Sequence, residues 1–154
     1  MRVVVAFGSN LGDRRRAITD AAAAVGRLLS NFTLSSIIET APVGAGLEDD
    51  PPFLNAVGVG ESDLPARRIF ESLKAFENAA GRARPHPGAP RTLDLDLILA
   101  GDEVVDSEDL QVPHPRFRDR LFVLDPLVEI APNLVDPVTQ LTIRELRDRI
   151  SSQL

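Results

Sequence analysis

Cysteine and tryptophan are absent from the 154 residues, and lysine occurs once, at Lys74. Without cysteine there is no disulfide framework, no thiolate nucleophile and no cysteine-bound zinc. A Walker-type phosphate loop is excluded as well, because its mechanism needs a lysine directly after the glycines and Lys74 follows none. Histidine is scarce: His86 and His114 are the two, and their spacing rules out an H-E-x-x-H zinc site. No apolar run approaches the roughly 18 residues of a membrane span, and "MRVVVAFGSN" is too short and too interrupted for a signal peptide. A cytoplasmic protein without membrane association is therefore expected. The net charge of −6 argues against general nucleic-acid binding, which needs a broad basic surface. At this length one domain, residues 1–154, can bury its own core, and a monomer is expected.

What is present reads as alternating elements. "RVVVAF" is a buried strand and "GSNLGD" the turn after it. Ala17, Ala21, Ala24, Val25 and Leu28 mark one face of a helix over 14–29, with Asp13 as its N-cap. "FTLSSIIET" follows as a β-branched strand, then a Pro/Gly loop, then "FLNAVGVGE", whose small residues at 56, 58 and 60 let another element approach closely. A second helix over 64–80 carries Ile69, Phe70, Leu73, Phe76 and Ala80 on its apolar side and stops at Gly81. The loop "RARPHPGAPR" leads into a further strand, which "AGDE" turns into a hairpin partner at Val104 and Val105. A short helix near 119–130 contains Pro126, and "TIRE" opens a terminal helix with a capping box of Thr142 and Glu145. The order predicts an α+β, ferredoxin-like fold: an antiparallel sheet with helices packed on one face and a helical C-terminal extension.

Residues 91–101 read RTLDLDLILAG. Alternate strand side chains share a face, so Asp94 and Asp96 leave together, roughly 6 to 7 Å apart, while Leu93, Leu95, Leu97 and Leu99 take the other side. Two such charges repel unless a cation lies between them. An arginine or a metal ion would serve. Aspartates at a strand end also cap turns or face water, but the apolar flanks and Arg91 at the strand entrance argue against idle solvation. Mg2+ suits the pair, since it takes oxygen ligands and is completed by water and substrate phosphates.

Arg82, Arg84, Arg91, Arg116, Arg118 and Arg120 flank this strand, and guanidinium forks bind phosphate oxygens bidentately. Any one alone reads as a solvated surface charge. With the carboxylates they supply what phosphoryl-type transfer demands, positioning and charge neutralisation. Arg82 and Arg84, on a loop too rich in proline and glycine to join a sheet, would form a mobile cationic lid over a rigid metal platform.

The stretches "AFGSNLGD", "ETAPVG", "FLNAV", "GRAR", "PRTLDLDLIL", "VPHPRF" and "EIAPNLV" together resemble the 6-hydroxymethyl-7,8-dihydropterin pyrophosphokinase family, in order and over nearly the whole chain. The resemblance implies transfer of the terminal pyrophosphoryl group of ATP, the co-substrate, to a pterin hydroxymethyl group in folate synthesis, with release of AMP. It implies that Asp94 and Asp96 hold two Mg2+ ions and that Arg82 and Arg91 stabilise the charge of the leaving AMP. Arg84, His114 and Arg120 would grip the nucleotide, with Glu77 near the ATP site. Asn55 would bond the pterin amide edge, Phe53 and Phe122 would sandwich its ring, and backbone groups of Thr40, Ala41 and Val43 would line the pocket. Taken alone, both phenylalanines read as core packing and His114 as a loop residue. Where the family often has tryptophan this chain has Gly88, and Lys74, Pro115 and Asp109 replace residues common there. Weaker lid closure and weaker ligand binding are expected. Two other readings compete: a non-catalytic ligand-binding module, since such a scaffold implies no function by itself, and a different ATP-using transferase.

Overall fold

The computed structural model describes residues 1–10, 13–40, 52–81 and 93–153. Its main sheet is antiparallel. Strands β1 (Arg2–Ser9), β2 (Ser30–Leu34), β3 (Ile38–Thr40), β4 (Phe53–Glu61) and β5 (Asp94–Ala100) form it, in the order β2-β4-β1-β5 with β3 also on β4. The "FTLSSIIET" segment is thus two strands rather than one. Ser35 sits at the break, where its hydroxyl accepts from the Val57 amide at 2.9 Å. β1 runs on past "RVVVAF" to take in Gly8 and Ser9, which the sequence pattern assigns to the turn.

Helix α1 (Arg14–Leu28) is capped as expected, with Asp13 accepting from the Arg16 amide at 3.1 Å. It and α2 (Ala66–Gly81) cover one face: Ile18, Ala21, Val25, Ala66, Ile69 and Leu73 pack with Val3, Val5, Phe7, Leu95 and Leu97. The small residues of β4 permit this closeness. A methyl group at Gly58 would lie 2.4 Å from the Phe32 ring, and one at Gly60 2.7 Å from Leu29 Cβ.

Helices α3 (Leu121–Ile130) and α4 (Ile143–Gln153) lie on the opposite face, packing Val123, Leu124, Leu127, Ile143 and Leu146 with Val4, Val57, Val59, Ile98 and Leu99. Helices therefore cover both faces, and the C-terminal helices form a layer rather than an appendage. Val3, Val4 and Val5 show the reason, since all three consecutive side chains are fully buried and only a strand covered on both sides buries such a run. The capping box of α4 is present, with Thr142 N donating to Glu145 Oε1 and Glu145 N to Thr142 Oγ1, each at 3.1 Å.

Two local expectations change. Val104 is exposed, and β6 (Val105–Asp106) pairs with β7 (Gln111–Val112) instead of β5. The register of β5 shifts between its partners Val4 and Val5. That irregularity puts Ile98 and Leu99 into the same core, so Leu99 shares the aspartate face rather than that of Leu95 and Leu97. No helix among the described residues is long and apolar enough to cross a membrane.

Candidate active site

Strand register assembles the site. Asp94 pairs with Gly8 and Asp96 with Ala6 across β5–β1, while Gly8 pairs with Asn55 and Ala6 with Val57 across β1–β4. Directly opposed residues share a face. Asp94, Asp96, Asn55 and, two positions earlier on β4, Phe53 thus project from one surface of the sheet, and Thr40 joins them by pairing with Phe53. Between the aspartates and Asn55 lie only Ala6 and Gly8. A short-side-chain strip flanked by polar groups leaves a floor on which a flat molecule can rest.

That floor opens into a cavity of about 390 Å³, lined by Ala6, Phe7, Gly8, Thr40, Phe53, Asn55, Asp94, Asp96, Arg120 and Phe122. The volume suits a small ligand. Its far wall comes from the start of α3. Arg120, the residue before that helix, holds its guanidinium 5.4 Å from the Phe122 ring and has no carboxylate partner among the described residues. Asn55 is buried, and its Nδ2 donates to Thr40 Oγ1 at 2.7 Å.

A second cavity of about 300 Å³ lies along the outer edge of β5, lined by Phe70, Lys74, Leu95, Asp96, Leu97, Glu108, Asp109, Leu110, Gln111 and His114. Asp96 is on the rim of both. His114 is fixed at the peptide level by donation from its amide to the Ile98 carbonyl at 2.9 Å, and its Nδ1 accepts from the Arg116 amide at 3.2 Å. With Nδ1 accepting, the neutral ring carries its proton on Nε2. Burial holds its pKa below the usual histidine value, Arg120 and Arg116 add to the effect, and Asp96 opposes it.

Arg118, Glu77 and Asp109 are held in pairs of their own. Arg118 donates to both carboxylate oxygens of buried Asp136, at 2.6 and 3.0 Å. It braces the turn between His114 and Arg120 and does not join an anion site. Glu77 is 8 % exposed, and its carboxylate accepts from the Leu95 amide at 2.7 Å and from Lys74 Nζ at 3.2 Å. Asp109 pairs with Arg67 at 2.7 Å; the hydrogen bond from Arg67 holds its carboxyl below the usual range. Ala41, Val43, Arg82, Arg84, Gly88 and Arg91 lie outside the described residues. Sequence reasoning missed Ala6, Gly8 and the second cavity's Glu108 and Gln111. The first two become visible only with the register, and the others only once β7 is set beside β5.

Two carboxylates on one face offer the hard oxygen ligands that Mg2+ takes. Among the described residues no group of three or more potential ligands gathers. Such a site is one that phosphate oxygens and water would complete, so the residues fit.

Comparison with known proteins follows the same line. The sequence model described as "7,8-dihydro-6-hydroxymethylpterin-pyrophosphokinase (HPPK)" matches residues 4–132. The 2-amino-4-hydroxy-6-hydroxymethyldihydropteridine pyrophosphokinase of Haemophilus influenzae is 37% identical over 139 residues, 89% of this chain and 86% of that protein. The folic acid synthesis protein fol1 of Pneumocystis carinii is 35% identical over 149 residues, 96% of this chain but 20% of that longer protein. In structure, the Plasmodium falciparum HPPK-DHPS superposes with a TM-score of 0.72 at 14% identity, over 99% of this chain and 41% of that one.

Proposed function

Because the chain belongs to the 7,8-dihydro-6-hydroxymethylpterin-pyrophosphokinase family, we propose that its two cavities hold the two substrates of that reaction, with the aspartate pair at their junction. The enzyme transfers pyrophosphate from ATP to 6-hydroxymethyl-7,8-dihydropterin in folate synthesis. The hydroxymethyl oxygen forms a bond to the β-phosphorus and loses its proton. The bond from that phosphorus to the α–β bridging oxygen breaks, and AMP leaves with the bridging oxygen.

One observation carries the reading: Asp94 and Asp96 share a face, and Asp96 borders both cavities. The first cavity suits the pterin. Phe53 and Phe122 offer aromatic faces to its ring, Asn55 offers both donor and acceptor to its edge, Thr40 lines the wall, and backbone groups of Ala41 and Val43 would contribute to pterin binding. The second suits the nucleotide: His114 lines it, Arg120 on the wall of the first cavity would meet the phosphates at the junction, and Arg84 would also grip them. Arg82 and Arg91 neutralise charge as AMP departs. Asp94 and Asp96 would hold two Mg2+ ions, which when bound would offset the charge of the ATP phosphates. Gly88 and Asp109, in place of residues that grip ligands elsewhere in the family, weaken that grip.

The strand order β2-β4-β1-β5 with α1 and α2 on one face supports a ferredoxin-like arrangement, to which α3 and α4 add a layer. Residues 1–154 act as one domain. Product analysis after incubation with ATP, Mg2+ and the pterin alcohol tests the function. AMP and the pterin diphosphate are expected. ADP would indicate a different transferase, and no product would favour a binding module.

A further inference from the structure

Helix α2 presents Ile69, Leu73 and Glu77 at four-residue spacing, the geometry of one stripe. Ile69 and Leu73 are buried in the core, and Glu77 is buried with them. A carboxylate in that position needs a partner. It takes the amide of Leu95, the residue between Asp94 and Asp96, at 2.7 Å. β5 ends the strand path. Amides along a strand point alternately to its two edges, so the Leu95 N–H points outward, away from β1. Glu77 thus does for β5 what a neighbouring strand would do, and does it at the peptide that spaces the two aspartates.

We propose that Glu77 is a positioning residue: acting through the Leu95 amide, it holds Asp94 and Asp96 at the spacing that metal binding needs, and does not act through contact with the nucleotide. This rests on the metal role proposed above for the two aspartates. Groups that orient metal ligands from behind typically change metal affinity by about 10- to 100-fold when removed.

Two conservative variants separate reach from charge. Glu77→Gln keeps an acceptor oxygen at the same reach and loses the charge, with half-exposed Lys74 free to turn to solvent. Glu77→Asp keeps the charge and withdraws the oxygens by one methylene. Amide hydrogen exchange at Leu95 in the ligand-free protein reads the bond, and Mn2+ titration by electron paramagnetic resonance with α,β-methylene ATP reads the metal site. In Glu77→Asp the Leu95 amide is expected to exchange at least about tenfold faster and Mn2+ to bind about tenfold more weakly, while Glu77→Gln stays within about threefold of the parent in both. Parental exchange and metal affinity in Glu77→Asp would overturn the proposal. So would the reverse order, with Glu77→Gln the weaker variant, because charge and not reach would then matter. Neither readout needs turnover, so failure of the pyrophosphoryl-transfer reading in the product assay remains distinguishable from failure of this one.

Discussion

Replacing Asn55 with leucine removes the buried side-chain amide of the first cavity while keeping its branched shape. The carboxamide has two N–H donors and a carbonyl with two acceptor sites. One donor is used on Thr40 at 2.7 Å. The other donor and Oδ1 have no partner among the described residues, although the side chain is buried. Oδ1 lies toward Gly8, where an added methyl would stand 3.4 Å from it, so both groups border the bare floor. A pterin edge seated there would complete two neutral hydrogen bonds, each contributing about 1 kcal/mol net, and losing them also leaves ligand groups desolvated without partners. Asn55→Leu should therefore cost about 2 to 3 kcal/mol of pterin binding, about 30- to 140-fold in Kd. Calorimetry with 6-hydroxymethylpterin, Mg2+ and α,β-methylene ATP measures this directly. A change below about fivefold, with an unaltered melting temperature, would refute the assignment of Asn55 as the residue that reads the ring edge.

Other expectations follow from the same geometry. Asp96→Ala should lower Mg2+-dependent turnover more than about 100-fold, since even groups behind a metal ligand are worth up to that, and circular dichroism should show the fold intact; parental kcat would remove Asp96 from the site. Asp136→Ala removes the fully buried carboxylate that partners part-buried Arg118 and should cost about 3 kcal/mol in denaturant unfolding at pH 7. Burial acts to raise the Asp136 pKa, but bonds from Arg118, Thr139 and the Val138 amide outweigh it and leave it lowered. Its stabilisation is thus complete above the unfolded value near 3.9 and lost as pH falls through the folded one, so the gap between parent and variant should narrow below about pH 4; a gap independent of pH would contradict this. Gly60→Ala sets a methyl 2.7 Å from Leu29 Cβ and 3.1 Å from the Ser30 carbonyl, an overpacking expected to cost about 1 to 3 kcal/mol, visible as a lower melting temperature.

The aspartate pair was legible because strand alternation is a local property that needs no knowledge of neighbours. Leu99 was not, because the irregularity that moves it to the aspartate face exists only in the pairing with β1. Grouping Arg118 with the anion-binding arginines failed for a related reason: closeness in sequence does not say that its partner, Asp136, waits on the far side of α3. The unbroken apolar run of "RVVVAF" carried a signal of two-sided burial, but the element order alone led to the expectation of helices on one face. Glu77 on the stripe of Ile69 and Leu73 was likewise a visible signal, a charge where a core residue belonged. The empty floor above Ala6 and Gly8 was not readable, since it depends on which residues stand beside them.

The most direct test of the aspartate junction is a crystal structure with Mn2+ and α,β-methylene ATP, using anomalous scattering to locate the metal. Manganese bonded directly to carboxylate oxygens of both Asp94 and Asp96 and to the analogue's phosphates is expected. Metal bound to the phosphates alone, with both carboxylates turned away, would contradict it.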